Sequence, residues 1–207
     1  MKLIVITGSI ATGKSAVSSY LRDLGYPLVD TDQVARQVVE PGSQGLKQLV
    51  EAFGPDLLTS QGQLDRAYLG ERLFSDKAVK ERVNQILHPL IHQTSQDQVE
   101  AYRQAGHDLV FLDVPLYFET EAPFACDEVW VVYTDPMTQH QRLQVRNQIS
   151  PDQAANLMAN QFSIQDKVKQ ADRVIDNSQD LEATYQQIDQ ELARLKHKIR
   201  GDGNEVS

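Results

Sequence analysis

The sequence is poor in cysteine and in basic residues. Cys126 is the only cysteine among 207 residues, which excludes an intrachain disulfide and a zinc site built from several cysteines. Lys and Arg number 20 against 29 for Asp and Glu, giving a formal charge of -9, whereas general nucleic-acid binding favours the opposite balance. The apolar run at 3–6 is too short for a signal-peptide core, and none approaches the roughly 20 residues that span a bilayer. We therefore expect a cytoplasmic protein without membrane or nucleic-acid partners.

Five short apolar segments alternate with longer segments of helical period. The predicted strands are 2–7, 27–30, 108–114, 128–134 and 173–176. Residues 109–112 and 129–133 are almost uninterrupted apolar runs, which is typical of strands covered on both faces in a parallel sheet. The alternation predicts an α/β fold around a five-stranded parallel sheet flanked by helices.

The strands are unevenly spaced along the sequence, which predicts that helical insertions interrupt a core domain. The segments 32–39, 44–53, 65–74 and 76–105 have helical character, so we interpret 32–105 as a helical insertion. We expect Pro89 to end or kink the last of these helices near His88. A second helical segment covers 136–170, and 181–199 is amphipathic. The predicted core is thus 1–31, 106–135 and 171–200, with a frayed tail at 201–207.

A phosphate-binding motif follows the first strand. Residues 8–15 read G-x-x-x-x-G-K-[ST] and lead into a helical segment. Backbone amides of such a loop, at a helix N-terminus, bind phosphate oxygens. We expect Lys14 to reach the β- and γ-phosphates of a nucleoside triphosphate and Ser15 to ligate Mg²⁺. The expected nucleotide-binding residues are Gly8, Ala11, Thr12, Gly13, Lys14, Ser15 and Ala16.

The motif alone does not identify the acceptor of the phosphoryl group. The guanine motif N-K-x-D and the switch motif D-x-x-G are both missing from the sequence. Together with the small size and the two helical segments, this favours a small-molecule kinase with an acceptor domain and a lid. Another kinase with a nucleoside-type acceptor, or a nucleotide-switched binding module, stays open.

Two aspartates end the second strand. In α/β proteins, ligands bind beyond the carboxyl ends of the strands. A carboxylate at that position could take the proton of a hydroxyl acceptor. Asp32 is therefore the candidate base, with Asp30 as a neighbour or structural partner. Alternatively, Asp30 or Thr31 is the N-cap of the following helix.

Asp113 follows four apolar residues at the end of the third strand. It resembles a carboxylate that holds the magnesium shell through water. Glu119, six residues on, could face the site, face solvent or cap a helix. Asn177 ends the last strand, where its side chain or backbone could meet the adenine.

Two arginines in the second helical segment are candidate lid residues. Arg142 and Arg146 are four residues apart and so share one helix face. Arginines from a closing lid can neutralise charge on a phosphoryl group in transfer. A solvated helix face is the alternative interpretation.

Several motifs, in order along residues 1–195, together resemble the dephospho-CoA kinase family. They are 7–15, Asp30-Thr31-Asp32 with 35–42, His88-Pro89-Leu90-Ile91, Val114-Pro115-Leu116 with Glu119, and Ala171-Asp172 with 174–177. The resemblance implies a P-loop kinase core, a helical coenzyme-A-binding domain at 32–105 and a lid at 136–170.

The resemblance further implies that the γ-phosphate of ATP is transferred to the ribose 3′-hydroxyl of dephospho-CoA. Asp32 matches the position proposed as catalytic in the family, and Arg142 and Arg146 fall in its lid. We expect a monomer or weak homo-oligomer that uses ATP and Mg²⁺. Tyr117 departs from the family pattern, which usually has an aliphatic residue there.

Overall fold

Five strands form one sheet with β1 at its centre in the computed structural model, which describes residues 1–119 and 124–202. The strands are β1 (Lys2–Gly8), β2 (Leu28–Asp30), β3 (Leu109–Asp113), β4 (Glu128–Tyr133) and β5 (Arg173–Asp176). Their order across the sheet is β2-β3-β1-β4-β5. Each strand lies within a residue of its predicted position, which confirms the α/β fold.

Helices connect and cover the strands. Those described are α1 (Lys14–Asp23), α2 (Thr31–Gln37), α3 (Gln44–Phe53), α4 (Arg66–Ser75), α5 (Lys77–Gln104), α6 (Pro136–Asn147), α7 (Pro151–Ala159), α8 (Ile164–Lys169) and α9 (Leu181–Asp202). Helix α9 includes residues 201 and 202, the first two positions of the predicted tail. A long helix adds a further turn at little cost. Residues 203–207 lie outside the described part of the chain.

Pro89 was predicted to end or kink a helix near His88, and the prediction of an end is wrong. Helix α5 runs through Pro89 without interruption from Lys77 to Gln104. A proline inside a helix removes one backbone hydrogen bond, and its ring crowds the carbonyl four residues earlier. The turns on both sides carry buried side chains, including Val83 and Val99, and this packing holds the helix across the gap.

The chain forms two compact units. One comprises Met1–Val29 and the chain from Ala101 onward, and the other comprises Asp30–Glu100. The first contains the sheet, except for Asp30 at the end of β2, together with α1 and α6–α9. The second contains α2–α4 and most of α5.

The core of the first unit lies on a face of the sheet. Ile4 pairs in register with Phe111 in the parallel β1–β3 ladder, and Phe111 meets Trp130 edge-on at 5.6 Å between ring centroids. Apart from Thr7, Asp113 and Glu128 at or near the strand ends, the buried side chains of β1, β3 and β4 are apolar, as expected for a covered sheet. Residues Ile188 and Leu192 of α9 close this cluster.

Caps define the starts of α6, α7 and α8. The carboxylate of Asp135 accepts from the first-turn amides of α6, and Ser150 forms a reciprocal capping box with Gln153 at α7. The hydroxyl of Ser163 accepts the amide of Asp166 at α8. Such caps satisfy amides that have no partner inside the helix. They make the segment 136–170 three short, distinct helices.

Candidate active site

The phosphate-loop motif connects the end of β1 to the start of α1, as the sequence predicts. β1 ends at Gly8 and α1 begins at Lys14. Between them the amide and the hydroxyl of Thr12 donate to the carbonyl of Ser9 at 3.3 and 2.9 Å. These bonds turn the chain into the N-terminus of α1, where free amides and the helix dipole favour an anion.

Two glycines of the loop have no room for a side chain. Gly13 has φ +88, and a Cβ there would collide with the side-chain amide of Asn177. A Cβ on Gly8 would lie 2.9 Å from the carbonyl oxygen of Val132. Ala11 has φ +60, a left-handed conformation that a non-glycine residue rarely adopts. The loop backbone is therefore tightly specified by its surroundings.

Asp113 lies under the loop at the end of β3. Its side chain is 4% exposed and forms an ion pair with the ammonium of Lys14. The hydroxyl of Ser18 donates to its second oxygen at 2.6 Å. A buried carboxylate is stable only when it is paired and hydrogen-bonded in this way. The pair places Lys14, the predicted phosphate ligand, at the carboxyl end of β3.

Ser15 and Ala16 occupy the first turn of α1. The amide of Ala16 donates to the carbonyl of Gly13 at 2.9 Å. Within residues 1–119 and 124–202, no group of three or more His, Cys, Asp and Glu side chains could hold a metal ion. Mg²⁺ does not need one, because it usually retains waters and binds one or two protein oxygens together with substrate phosphates. The hydroxyl of Ser15 and the carboxylate of Asp113 fit that requirement.

Asn177 connects the end of β5 to the loop, to α6 and to α9. Its side-chain amide donates to the carbonyl of Thr12 at 2.9 Å, and its side-chain oxygen accepts the hydroxyl of Thr184 at 2.9 Å. Arg142 donates to its backbone carbonyl at 2.9 Å. Asn177, which the sequence predicts to bind the nucleotide, therefore contacts the phosphate loop through its side chain.

The two lid arginines have different surroundings. The guanidinium of Arg142 lies beside the loop, since a Cβ on Gly13 would be 3.9 Å from its NH1. Arg146 is exposed on α6, and its Nε donates to Asn147 at 3.0 Å. The structure therefore brings Arg142 to the phosphate loop and leaves Arg146 at the surface.

Glu119 pairs with a lysine that the sequence analysis missed. Its Oε1 lies 2.7 Å from Nζ of Lys167, whose side chain is fully buried in α8. The same oxygen accepts the amide of Phe162 at 3.1 Å. Glu119 therefore neither faces solvent nor caps a helix, and no sequence signal marked Lys167, because helical period shows only which face is apolar.

Tyr117, which departs from the family pattern, is a structural anchor. Its hydroxyl donates to the carbonyl of Phe124 at 2.9 Å and lies 3.5 Å from the sulfur of Cys126. Burial raises the pKa of Tyr117 well above its ordinary value, and the contact with Cys126 adds to this. The hydroxyl therefore stays protonated and joins the turn after β3 to the loop residues before β4.

The candidate base Asp32 lies in the second unit. Asp30 is the N-cap of α2, because its carboxylate accepts the amides of Asp32 and Gln33 at 3.0 and 3.1 Å. This confirms the capping interpretation of Asp30. The side chain of Asp32 is exposed on the first turn of α2.

Among the described residues, no helix is long and apolar enough to cross a membrane. The five-stranded sheet, with the phosphate loop between its central strand and α1, defines a P-loop protein of the α/β class.

Comparison with known proteins identifies the family within this class. A family model described as dephospho-CoA kinase matches residues 2–183. The chain is 44% identical over 187 residues to a dephospho-CoA kinase from Listeria monocytogenes, covering 90% of this chain and 94% of that protein. It is 41% identical over 195 residues to one from Shouchella clausii, covering 94% and 99%.

Solved structures agree with the sequence comparison. The dephospho-CoA kinase from Campylobacter jejuni superposes with a TM-score of 0.70 at 26% identity, over 93% of this chain and 97% of that one. TT1252 from Thermus thermophilus superposes with a TM-score of 0.75 at 28% identity, over 94% of this chain and 97% of that one. The chain belongs to the dephospho-CoA kinase family and is an ATP-dependent kinase, which confirms the resemblance noted from the motifs.

Proposed function

We propose that the chain transfers the γ-phosphate of ATP to the ribose 3′-hydroxyl of dephospho-CoA, the last step of coenzyme A biosynthesis. The observation that carries this proposal is the phosphate loop, with Lys14 paired to the buried Asp113, in a chain whose family model covers residues 2–183. In the reaction, the 3′-oxygen forms a bond to the γ-phosphorus. The bond from that phosphorus to the β–γ bridging oxygen breaks, and ADP leaves.

The loop and Lys14 bind and orient the triphosphate. The backbone amides at the start of α1 would donate hydrogen bonds to phosphate oxygens at the positive end of the helix dipole. Lys14 lies at the carboxyl end of β3 in contact with Asp113, and its charge neutralises the β- and γ-phosphates. Catalysis of phosphoryl transfer is mainly positioning and electrostatic stabilisation.

Mg²⁺ would be held by the hydroxyl of Ser15 and, through water, by the carboxylate of Asp113. When bound, such an ion would supply positive charge that neutralises the charge developing on the transferring phosphoryl group. The oxygens of Asp113 already accept from Lys14 and Ser18, which favours a water-mediated role over direct ligation.

Asp32 would take the proton of the 3′-hydroxyl. Asp30 caps α2 through the amides of Asp32 and Gln33, whereas the carboxylate of Asp32 is exposed on the first turn of α2, just beyond the carboxyl end of β2. A base there would orient the hydroxyl and accept its proton as the new bond to phosphorus forms.

Arg142 and Asn177 support the nucleotide side of the site. Arg142 lies beside the loop and would neutralise charge on the phosphoryl group, while Asn177 holds the loop carbonyl at Thr12. Arg146 would join only if α6 moved on nucleotide binding. We propose that 136–170 acts as the lid and 32–105 as the acceptor-binding domain.

The test is an assay of ADP release with ATP and Mg²⁺ against a panel of acceptors. Dephospho-CoA is expected to stimulate turnover strongly, and nucleosides are not. Mass spectrometry and NMR of the product should place the new phosphate on the ribose 3′-oxygen. Stimulation by a nucleoside, or slow hydrolysis that no acceptor accelerates, would contradict the proposal. Sedimentation of the same preparation tests the further proposal of a monomer or weak homo-oligomer.

A further inference from the structure

Both backbone polar groups of Ile10, in the middle of the phosphate loop, are held by glutamine side chains. The amide of Ile10 donates to Oε1 of Gln161 at 2.8 Å. Nε2 of Gln139 donates to the carbonyl of Ile10 at 2.7 Å. Gln139 belongs to α6, and Gln161 lies between α7 and α8. Two separate parts of the segment 136–170 therefore form hydrogen bonds with the same loop residue.

The polarity of these bonds explains the residue type. A backbone amide only donates and a backbone carbonyl only accepts, so the first glutamine must present its oxygen and the second its nitrogen. Glutamine serves both purposes without adding charge beside a triphosphate. Gln139 is 3% exposed, so its amide depends on partners inside the protein.

The loop needs such support at this point. Ala11, the next residue, has φ +60. A non-glycine residue keeps this conformation only where its surroundings over-determine it. The two glutamines fix the peptide groups on both sides of Ile10 and thereby one of the two peptide groups flanking Ala11.

The segment that carries Gln161 is itself anchored. The amide of Phe162 donates to Glu119 at 3.1 Å, and the hydroxyl of Ser9 donates to the carbonyl of Phe162 at 3.4 Å. Glu119 in turn pairs with the fully buried Lys167 at 2.7 Å. The position of Gln161 is therefore set by the turn after β3, by α8 and by the loop.

We propose that Gln139 and Gln161 are positioning residues that set the nucleotide-binding geometry of the phosphate loop and couple it to the segment 136–170. The consequence for turnover rests on the proposed function, whereas the consequence for the loop and for nucleotide affinity does not. Neither side chain needs to touch the substrate for this role.

The test combines amide exchange with nucleotide binding. Gln161→Met removes the acceptor at nearly constant size, and an unpaired amide in a partly buried site raises the population of open states. Exchange of the Ile10 amide, followed by NMR, should accelerate about tenfold or more, while the β1 amides keep their wild-type rates. Affinity for ATP, measured by calorimetry, should fall about tenfold for Gln161→Met and for Gln139→Met.

Two exposed glutamines supply matched controls. Gln141→Met lies on α6 and Gln165→Met on α8, and both should keep wild-type ATP affinity. The KM for dephospho-CoA should stay unchanged in all four variants, because a positioning role acts on the nucleotide side. A general loss of structure would instead lower both affinities together.

The glutamate variants provide a second, opposite pair of outcomes. Gln161→Glu keeps an acceptor for the Ile10 amide, so its exchange should stay slow. Gln139→Glu sets a carboxylate against a carbonyl, so it should weaken ATP binding at least as much as Gln139→Met.

The proposal would be overturned if Gln161→Met kept the wild-type exchange rate of the Ile10 amide and the wild-type affinity for ATP. It would also be overturned if Gln161→Glu and Gln139→Glu changed the Ile10 exchange rate and the ATP affinity equally. Slow Ile10 exchange in free Gln161→Met, with loss of affinity only for ATP and not for ADP, would also overturn it, since Gln161 would then be a γ-phosphate ligand. If the exchange and affinity results hold but dephospho-CoA is not phosphorylated, the proposed function fails and the positioning role stands.

Discussion

Substitution of Gly13 tests whether the hydrogen bond from Asn177 to Thr12 stabilises the phosphate loop. Replacing Gly13 by Ala forces an L-residue into φ +88 and drives its Cβ into the side-chain amide of Asn177. That amide must then release the carbonyl of Thr12, which it contacts at 2.9 Å. The substitution therefore has a cost intrinsic to the backbone and a cost that exists only while Asn177 is present.

The two costs can be estimated separately. The left-handed conformation costs an L-residue about 1–2 kcal/mol, and the lost bond to Thr12 adds about 1 kcal/mol. Gly13→Ala should therefore lower the free energy of unfolding by about 2–3 kcal/mol. In an Asn177→Ala background only the backbone cost remains, so the same substitution should cost about 1–2 kcal/mol there. The coupling between the two positions should be about 1 kcal/mol.

Urea denaturation of the four proteins of this cycle measures the coupling. Trp130 is the only tryptophan and is fully buried in β4, so its fluorescence reports unfolding of the sheet unit. Calorimetry with ATP should show weaker binding for Gly13→Ala than for wild type. Equal costs of Gly13→Ala in both backgrounds, within about 0.5 kcal/mol, would refute the reasoning.

Three further predictions concern catalysis and stability. Lys14→Met should reduce kcat about 10²–10³-fold, measured by ADP release, because it removes the charge that stabilises the transferring group; near-normal turnover would contradict this. Asp32→Asn should reduce kcat about 10²–10⁴-fold with ATP affinity retained, as a general base requires; a loss of ATP affinity alone would assign Asp32 a binding role. Burial by itself would raise the pKa of Glu128, but hydrogen bonds from Arg194 and Trp130 outweigh it and hold the pKa below its ordinary 4.5. Its stabilisation is therefore present above about pH 4.5 and is lost as the pH falls through the lower folded-state value. Glu128→Gln should lower the urea midpoint at neutral pH, and this difference should shrink in acid; a constant difference would count against the ion pair.

The strands were predictable from local pattern, whereas the course of the long helix was not. The apolar runs at 109–112 and 129–133 predicted β3 and β4, because a strand buried on both faces is mostly apolar. Pro89 misled the prediction, since its local preference was overridden by packing on both sides of the same helix.

The site shows the same division. The motif at 8–15 predicted the loop, and the ends of strands marked Asp32, Asp113 and Asn177. The partners of these residues were not predictable, nor was the separation of Arg142 from Arg146, because spacing along a helix states which residues share a face and not what that face meets.

Neighbours along the chain were enough to specify the α/β pattern, the phosphate loop and the resemblance to dephospho-CoA kinases, since turn geometry and apolar period are local properties. The side chains that contact the phosphate loop and Lys14 were determined only by the tertiary structure. Lys14 meets Asp113 across 99 positions, Gln161 meets Ile10 across 151, and Asn177 meets Thr12 across 165. Such pairs form because the parallel strands and their helices bring distant residues to one edge of the sheet, and no pattern in the intervening sequence encodes which polar groups then meet.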